Sequence, residues 1–241
     1  MKIDSTMSST YAARRLPRAL YKVALVGLLV IASIISVVLE VLHTRVNGVD
    51  NYTNLVWNLG LAWIPFIAAV LAYLTKQSRI TFYLIMPVCT VVWLIFFPNA
   101  PYLLTDFQHL AFTRGNAPLW LDVILLIWFA WTGLLLGIAS LYLMQEIITD
   151  IFNPYIGWLF AIAMTVLSSI GVYLGRFLRW NSWDLLYDPV LIAKDMYGIV
   201  RHPISNLPTY GFTILFTLLF LFIYLSIHVI GGMIKEKAYK D

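Results

Sequence analysis

The 241 residues are 61% hydrophobic and only 12% charged, with a mean hydropathy of +0.83. Soluble domains are about half apolar and about a quarter charged, so the composition excludes an ordinary soluble domain and indicates an integral membrane protein. The net charge is +4, with basic residues gathered at the two ends, a pattern that suits membrane orientation and argues against a nucleic-acid partner.

Residues 1–19 read as a basic cytoplasmic segment carrying Lys2, Arg14, Arg15 and Arg18. The first apolar run, 23–39, exceeds the roughly 7–15 residues of a signal-peptide core. It continues into Glu40-Val41-Leu42-His43 and reads as a retained span. Arg14-Arg15 lacks the rest of a twin-arginine export signal. Five further apolar runs follow, at 55–74, 80–97, 119–144, 155–175 and 207–230. Each approaches or exceeds the roughly 20 residues that cross about 30 Å of hydrocarbon. Backbone groups in lipid must pair within their own segment, and none of these runs alternates as a strand would, so all are expected to be helices. The single cysteine, Cys89, lies in the third run and reads as a small buried residue.

The predicted fold is therefore all-α: a polytopic bundle of six transmembrane helices over 20–230, with both termini cytoplasmic and a basic tail at 231–241. Ten of the 16 lysines and arginines then fall on the inner side. Six fall outside, namely Arg45, Arg114, Arg176, Arg179, Lys194 and Arg201. The inner turn with Glu146 and Asp150 is the exception, since it has no basic residue. The longest outer connection suggests a short interfacial helix beginning near Asn181, with Ser182 as its cap, Asp184 in its first turn and Trp180, Trp183 and Tyr187 at the lipid boundary.

In this topology three polar clusters share the outer side. The first is Glu40 with His43. The second is the stretch 98–109, where Pro98 and Pro101 break an apolar run and Asn99, Tyr102, Asp106 and His109 follow, with Asp122 just inside the next span. The third is 175–184, with Arg176, Arg179, Asn181, Trp183 and Asp184. Ionisable groups at membrane depth are expensive, so they usually pair or act. Asn99 reads either as the cap of a short helix or as an amide facing a pocket. Asp106/His109 and Glu40/His43 are each three apart and would share a helical face. Such pairs suit proton exchange, or with Asp122 and Asp184 a divalent metal such as zinc, manganese or iron. Interfacial side chains simply reaching water would show the same spacing. No other cofactor is evident, because phosphate-loop, dinucleotide, nucleophile-elbow and zinc-protease motifs are all missing. The guanidinium forks of Arg176 and Arg179 suit phosphate or carboxylate, including lipid headgroups, and equally suit pairing with Asp106, Asp122 or Asp184. Gly171 and Gly175 form a small-x-x-x-small pattern for close helix packing. His228 reads as a packing residue.

Phe97-Pro98-Asn99-Ala100-Pro101-Tyr102 with Thr105-Asp106 and His109-Leu110, followed by Gly175-Arg176, Arg179 and Asn181-Ser182-Trp183-Asp184, resembles the two signature stretches of a bacterial integral-membrane family. That family is catalogued as a domain of unknown function, number 1361. The resemblance runs from about Leu55 onward and implies a multi-pass protein of the bacterial cytoplasmic membrane. It brings no activity. Three function classes stay open. One is an enzyme acting at the outer leaflet on a lipid-linked or cell-envelope substrate, with Asp106, His109 and Asp184 as catalytic candidates. In that case Asn99, Tyr102, Arg176, Arg179, Asn181 and Trp183 would hold an anionic substrate, with Glu40, His43 and Asp122 in support. The second is a non-catalytic subunit binding a membrane-protein partner. The third is a neutral-solute transporter or channel lined by Asn58, Thr90, Thr132 or Ser168, since no span has an ionisable group near its midpoint.

Overall fold

A computed structural model describes residues 18–48, 52–75, 79–112 and 116–240. Within them the apolar runs are helices and no strand occurs. In chain order these are α1 (Arg18–Asn47), α2 (Thr53–Leu74), α3 (Arg79–Phe96), α4 (Asn99–Tyr102), a 3-10 segment (Leu103–Phe112), α5 (Leu119–Ile151), α6 (Pro154–Phe177), α7 (Asp184–Tyr187), α8 (Pro189–Arg201) and α9 (Leu207–Lys240). Six stretches among the described residues are long and apolar enough to cross a membrane, and the protein is a multi-pass membrane protein. Three of them clearly outrun the sequence expectation. The first continues to Asn47, the third runs from Tyr83 to Leu110, through the double proline, and the fourth continues to Ile151. Pro101 sits in the first turn of α4, where its missing N–H leaves no orphan acceptor, so the chain bends without unravelling.

Helix α5 is the central column. It packs against α1, α2, α4, the 3-10 segment and α6, and its apolar window is the most buried of the six. Helix α9 lies against α6. Lipid tails are as apolar as leucine, so packing rather than water exclusion holds such helices together. Trp93, fully buried, stacks on Phe97 at 4.5 Å and on Phe160 at 5.8 Å, joining α3 to α6.

Glycines set how closely α4 is gripped. A Cβ on Gly171 of α6 would lie 2.5 Å from Pro98 Cγ. A Cβ on Gly133 of α5 would lie 2.7 Å from the Ala100 carbonyl oxygen. The proline-broken turn is thus wedged between two helices that approach it at glycine. The Gly171/Gly175 pattern packs as expected; its counterpart on α5 is a second contact of the same kind.

Glu146, one of the two acids in the last turns of α5, also finds its charge. Lys22 Nζ of α1 donates to the Tyr73 hydroxyl at 3.2 Å, and that hydroxyl donates to Glu146 Oε1 at 3.1 Å. The compensating lysine comes from another helix, which is why the turn itself needs none. At the same end, the Tyr224 hydroxyl donates to Gln145 Oε1. Cys89 is buried, and His228 packs edge-on against Trp158 at 4.8 Å.

Candidate functional site

The two signature stretches meet. In a 3-10 helix side chains three apart eclipse one another, and Asp106 and His109 lie in such a row, with His109 Nε2 at 3.6 Å from Asp106 Oδ1. Arg176, in the last turn of α6, pairs with Asp106 Oδ1 through Nη2, and its Nε donates to Thr105 Oγ1 at 2.7 Å. Its guanidinium lies over the Tyr102 ring, 4.0 Å from the centroid. Asp106 is 1% exposed and the Arg176 side chain 6%, so this is a buried ion pair. Asp106 Oδ2 is buried without a hydrogen-bond partner among the described residues. The His109 side chain is 36% exposed.

Beside this pair the stretches are joined again. Asn99 Nδ2 donates to Ser182 Oγ at 2.6 Å and to the Phe96 carbonyl at 3.0 Å. Asn99 is therefore not a cap: α4 begins at Asn99 itself without a side-chain cap, and the amide bridges the two stretches instead. Ser182 does not cap either. Helix α7 starts at Asp184, whose Oδ2 accepts from the Asn181 backbone N–H at 2.7 Å and from Asn181 Nδ2 at 3.2 Å. Ser182 is used across the chain, and Asp184 ties down its own turn.

Around Asn99 and Ser182 lies a cavity of about 460 Å³. Its polar end comprises Asn58, Asn99, Tyr102, Arg179, Asn181 and Ser182, with Trp183 alongside. Its other wall is apolar and formed by α2, α3 and α6, with Trp57, Leu94 and Leu167 among the contributors. Trp57, Leu94 and Leu167 are exposed on the outside of the bundle, so this wall is continuous with the lipid-facing surface. Helix α8 closes the space from above through Ile192, its one buried residue. Trp180 Nε1 donates to Asp195 Oδ2 at 3.0 Å and holds α8 there.

Arg179 parts company with Arg176. It is exposed and lines the cavity, and it makes no hydrogen bond or ion pair with the described residues. Its φ is +61° and makes it the only non-glycine with positive φ among the described residues. This is a helix-ending conformation normally left to glycine or asparagine. Trp180 N–H closes back on the Leu174 carbonyl at 3.1 Å.

The first cluster pairs differently from the expectation. Glu40 and His43 do not serve each other: Glu40 Oε1 accepts from Thr44 Oγ1 at 3.0 Å, while His43 Nε2 faces Asp122 Oδ1 at 2.8 Å, both side chains being buried. Tyr52 packs edge-on against the His43 ring at 4.9 Å. Burial, and then the neighbouring Asp122, push the Tyr52 hydroxyl above its ordinary range and keep it neutral. Asp122 thus joins α1 to α5 and not to an arginine. Among the described residues no three His, Cys, Asp or Glu side chains gather as metal ligands would. The hydroxyls of Thr90 and Thr132, offered above as pore linings, bond carbonyls of their own helices. The apolar contributors, Trp57, Leu94 and Leu167, and the glycine on α5 carried no polar signal and escaped the sequence reading; only their exposure and approach distances reveal them.

Residues 57–223 match the family described as "Protein of unknown function (DUF1361)", a segment that includes both signature stretches and leaves α1 outside. No curated protein and no solved structure matches the chain.

Proposed function

The chain belongs to the DUF1361 family, a family of unknown function, and from that premise we propose that it recognises an amphiphilic molecule drawn from the bilayer, with Asn99, Tyr102, Arg179, Asn181, Ser182 and Trp183 around its polar head. We place this end of the bundle outward in the bacterial cytoplasmic membrane, both termini being cytoplasmic. The molecule is then a lipid or a lipid-linked cell-envelope intermediate. The observation that carries this reading is the polarity of one cavity: polar groups from both signature stretches at one end, and an apolar wall continuous with the lipid-facing surface along the other.

The described lining residues include no acid and no imidazole. Asp106 is engaged by Arg176, Asp184 by Asn181, and His109 lies outside the cavity. The geometry therefore supports recognition ahead of proton transfer. An enzymatic step on the bound molecule would draw on His109, whose ring stands beside Asp106, ahead of Asp184, whose carboxylate is held by Asn181. The test is a photoreactive phenylalanine analogue placed at Leu94 in native membranes, with Leu225 on the exposed side of α9 as the reference. A distinct crosslinked amphiphile is expected at 94, and bulk phospholipid at 225. Identical crosslinked material at both positions would refute the reading.

A further inference from the structure

Among the described residues, Arg179 is the one cation in the cavity lining, and no acid stands beside it there. Arg176, three residues earlier, has its charge cancelled by Asp106. The cavity therefore presents a single uncompensated positive charge. The remaining polar lining is neutral. The Tyr102 and Ser182 hydroxyls can donate to an anion, and Asn99 has both amide protons engaged by the Phe96 carbonyl and Ser182. Arginine's planar fork matches two oxygens of one tetrahedral or carboxylate anion. Charge selects between anions. A phosphate monoester carries about −1.5 to −2 at neutral pH and would leave excess negative charge beside one arginine, whereas a phosphodiester carries a single charge and balances it.

The backbone adds a second observation. A non-glycine residue at φ +61° is costly, and such residues persist where the side chain has a task. Glycine or asparagine would relieve this strain and would lose the guanidinium. We infer that the cavity takes the phosphodiester of a lipid, with Arg179 as its counter-ion and the acyl chains along the Leu94–Leu167 wall. This rests on the reading of the cavity as an amphiphile site, and it narrows that reading to one headgroup chemistry.

The experiment is calorimetric titration of the whole protein in neutral detergent. The probes are dihexanoyl phosphatidylglycerol, the chain-free diester glycerophosphoglycerol, and neutral dihexanoylglycerol. The expected order is the lipid diester tightest, with both other probes weaker. Arg179→Asn should weaken the lipid diester by about tenfold to a hundredfold, the usual range for a lost charged hydrogen bond. The same variant should raise the melting temperature of the unliganded protein, because asparagine accepts positive φ. Loss of binding with a gain in stability separates a binding role from a structural one. Arg201→Gln, a cation on α8 outside the cavity, should bind as the parent does. Arg179→Gly serves as the second charge-free variant should the asparagine protein fold poorly. If glycerophosphoglycerol binds as tightly as the lipid, the ligand is a soluble phosphodiester and the lipid part falls. Equal binding of neutral dihexanoylglycerol would overturn the phosphodiester while leaving an amphiphile site. If none of the three binds, the amphiphile reading fails as well. Unchanged affinity in Arg179→Asn would remove Arg179 from the site.

Discussion

Asp106 shows how burial changes the meaning of a side chain. From the sequence it stands as the first catalytic candidate, and its charge compensation by an arginine of the second stretch is also legible there. Its depth is not, because the helix that covers it lies 70 residues away. With Asp106 1% exposed, Asp106→Asn strands the Arg176 guanidinium, and breaking a buried pair costs about 3–5 kcal/mol. The double variant Asp106→Leu/Arg176→Met removes both charges and should recover most of that loss. Thermal unfolding in detergent, with membrane abundance measured alongside, checks both. A single variant as stable as the parent would refute the structural role given to the pair. Gly171 makes a sharper steric prediction. Gly171→Ala forces a Cβ against Pro98 and should cost about 1–3 kcal/mol. Gly211→Ala meets nothing within 4 Å and should not destabilise.

The positions of the six spans followed the apolar runs, while several helix ends ran past them, α1 to Asn47 and α9 to Lys240. The start of α6 is the plainest agreement: Asn153 accepts from Ile156 N–H at 2.9 Å and Pro154 opens the helix, as an Asn-Pro pair predicts. Helix α3 ends at Phe96, as the apolar run to residue 97 predicts, but the candidate span continues past Pro98 because α4 and the 3-10 segment carry the hydrogen bonding on. Ten further residues run on as a 3-10 helix, unusually long for that form. The i,i+3 rule found Asp106/His109, where the row is real, and misassigned Glu40/His43, where a facing helix offers Asp122 as the better partner. Spacing along one helix carries no information about a neighbour. Helix α8 is the element that encloses the cavity. Trp180 Nε1 tethers it at Asp195, and the Tyr210 hydroxyl of α9 tethers it again at the Ile199 carbonyl, 3.2 Å away. Asp195→Leu should cost about 1 kcal/mol locally and speed amide exchange across 189–201 while leaving α5 and α6 unchanged. Uniform exchange behaviour in the two proteins would show that the Asp195 tether is dispensable.

The bundle concentrates its polar side chains at one end. His43–Asp122, Asp106–Arg176 and Asn99–Ser182 gather where α1, α3 and α6 finish and α5 begins. The opposite end carries Lys22–Tyr73–Glu146 and Tyr224–Gln145. Six spans and this asymmetry were legible because membrane depth penalises every unpaired polar group, so polar residues mark the ends of spans in the sequence. The cavity was not legible, because a space between three helices is a property of their packing. The proposed orientation predicts that a cysteine at Ser205, exposed ahead of α9, reacts with an impermeant maleimide added outside. One at Tyr155, 87% exposed in the first turn of α6, should react only after the membrane is opened. Cys89 is buried and should stay silent. Labelling of position 155 in intact cells would invert the bundle.

The wedge formed by α4 has a consequence for the order in which the protein is made. Both helices that grip it are synthesised after it, and Arg176 leaves the ribosome 70 residues behind Asp106. At about 5–20 residues per second the acid waits roughly 4–14 s for its partner. For that interval the nascent chain holds an uncompensated carboxylate at the membrane boundary. Completion of α6 ends the wait, closing the wedge and discharging the electrostatic debt in one step. Chains truncated after residue 152 should accordingly be cleared faster in pulse-chase than chains extended through residue 206. Biogenesis of this bundle thus has a late commitment point, set by a single arginine.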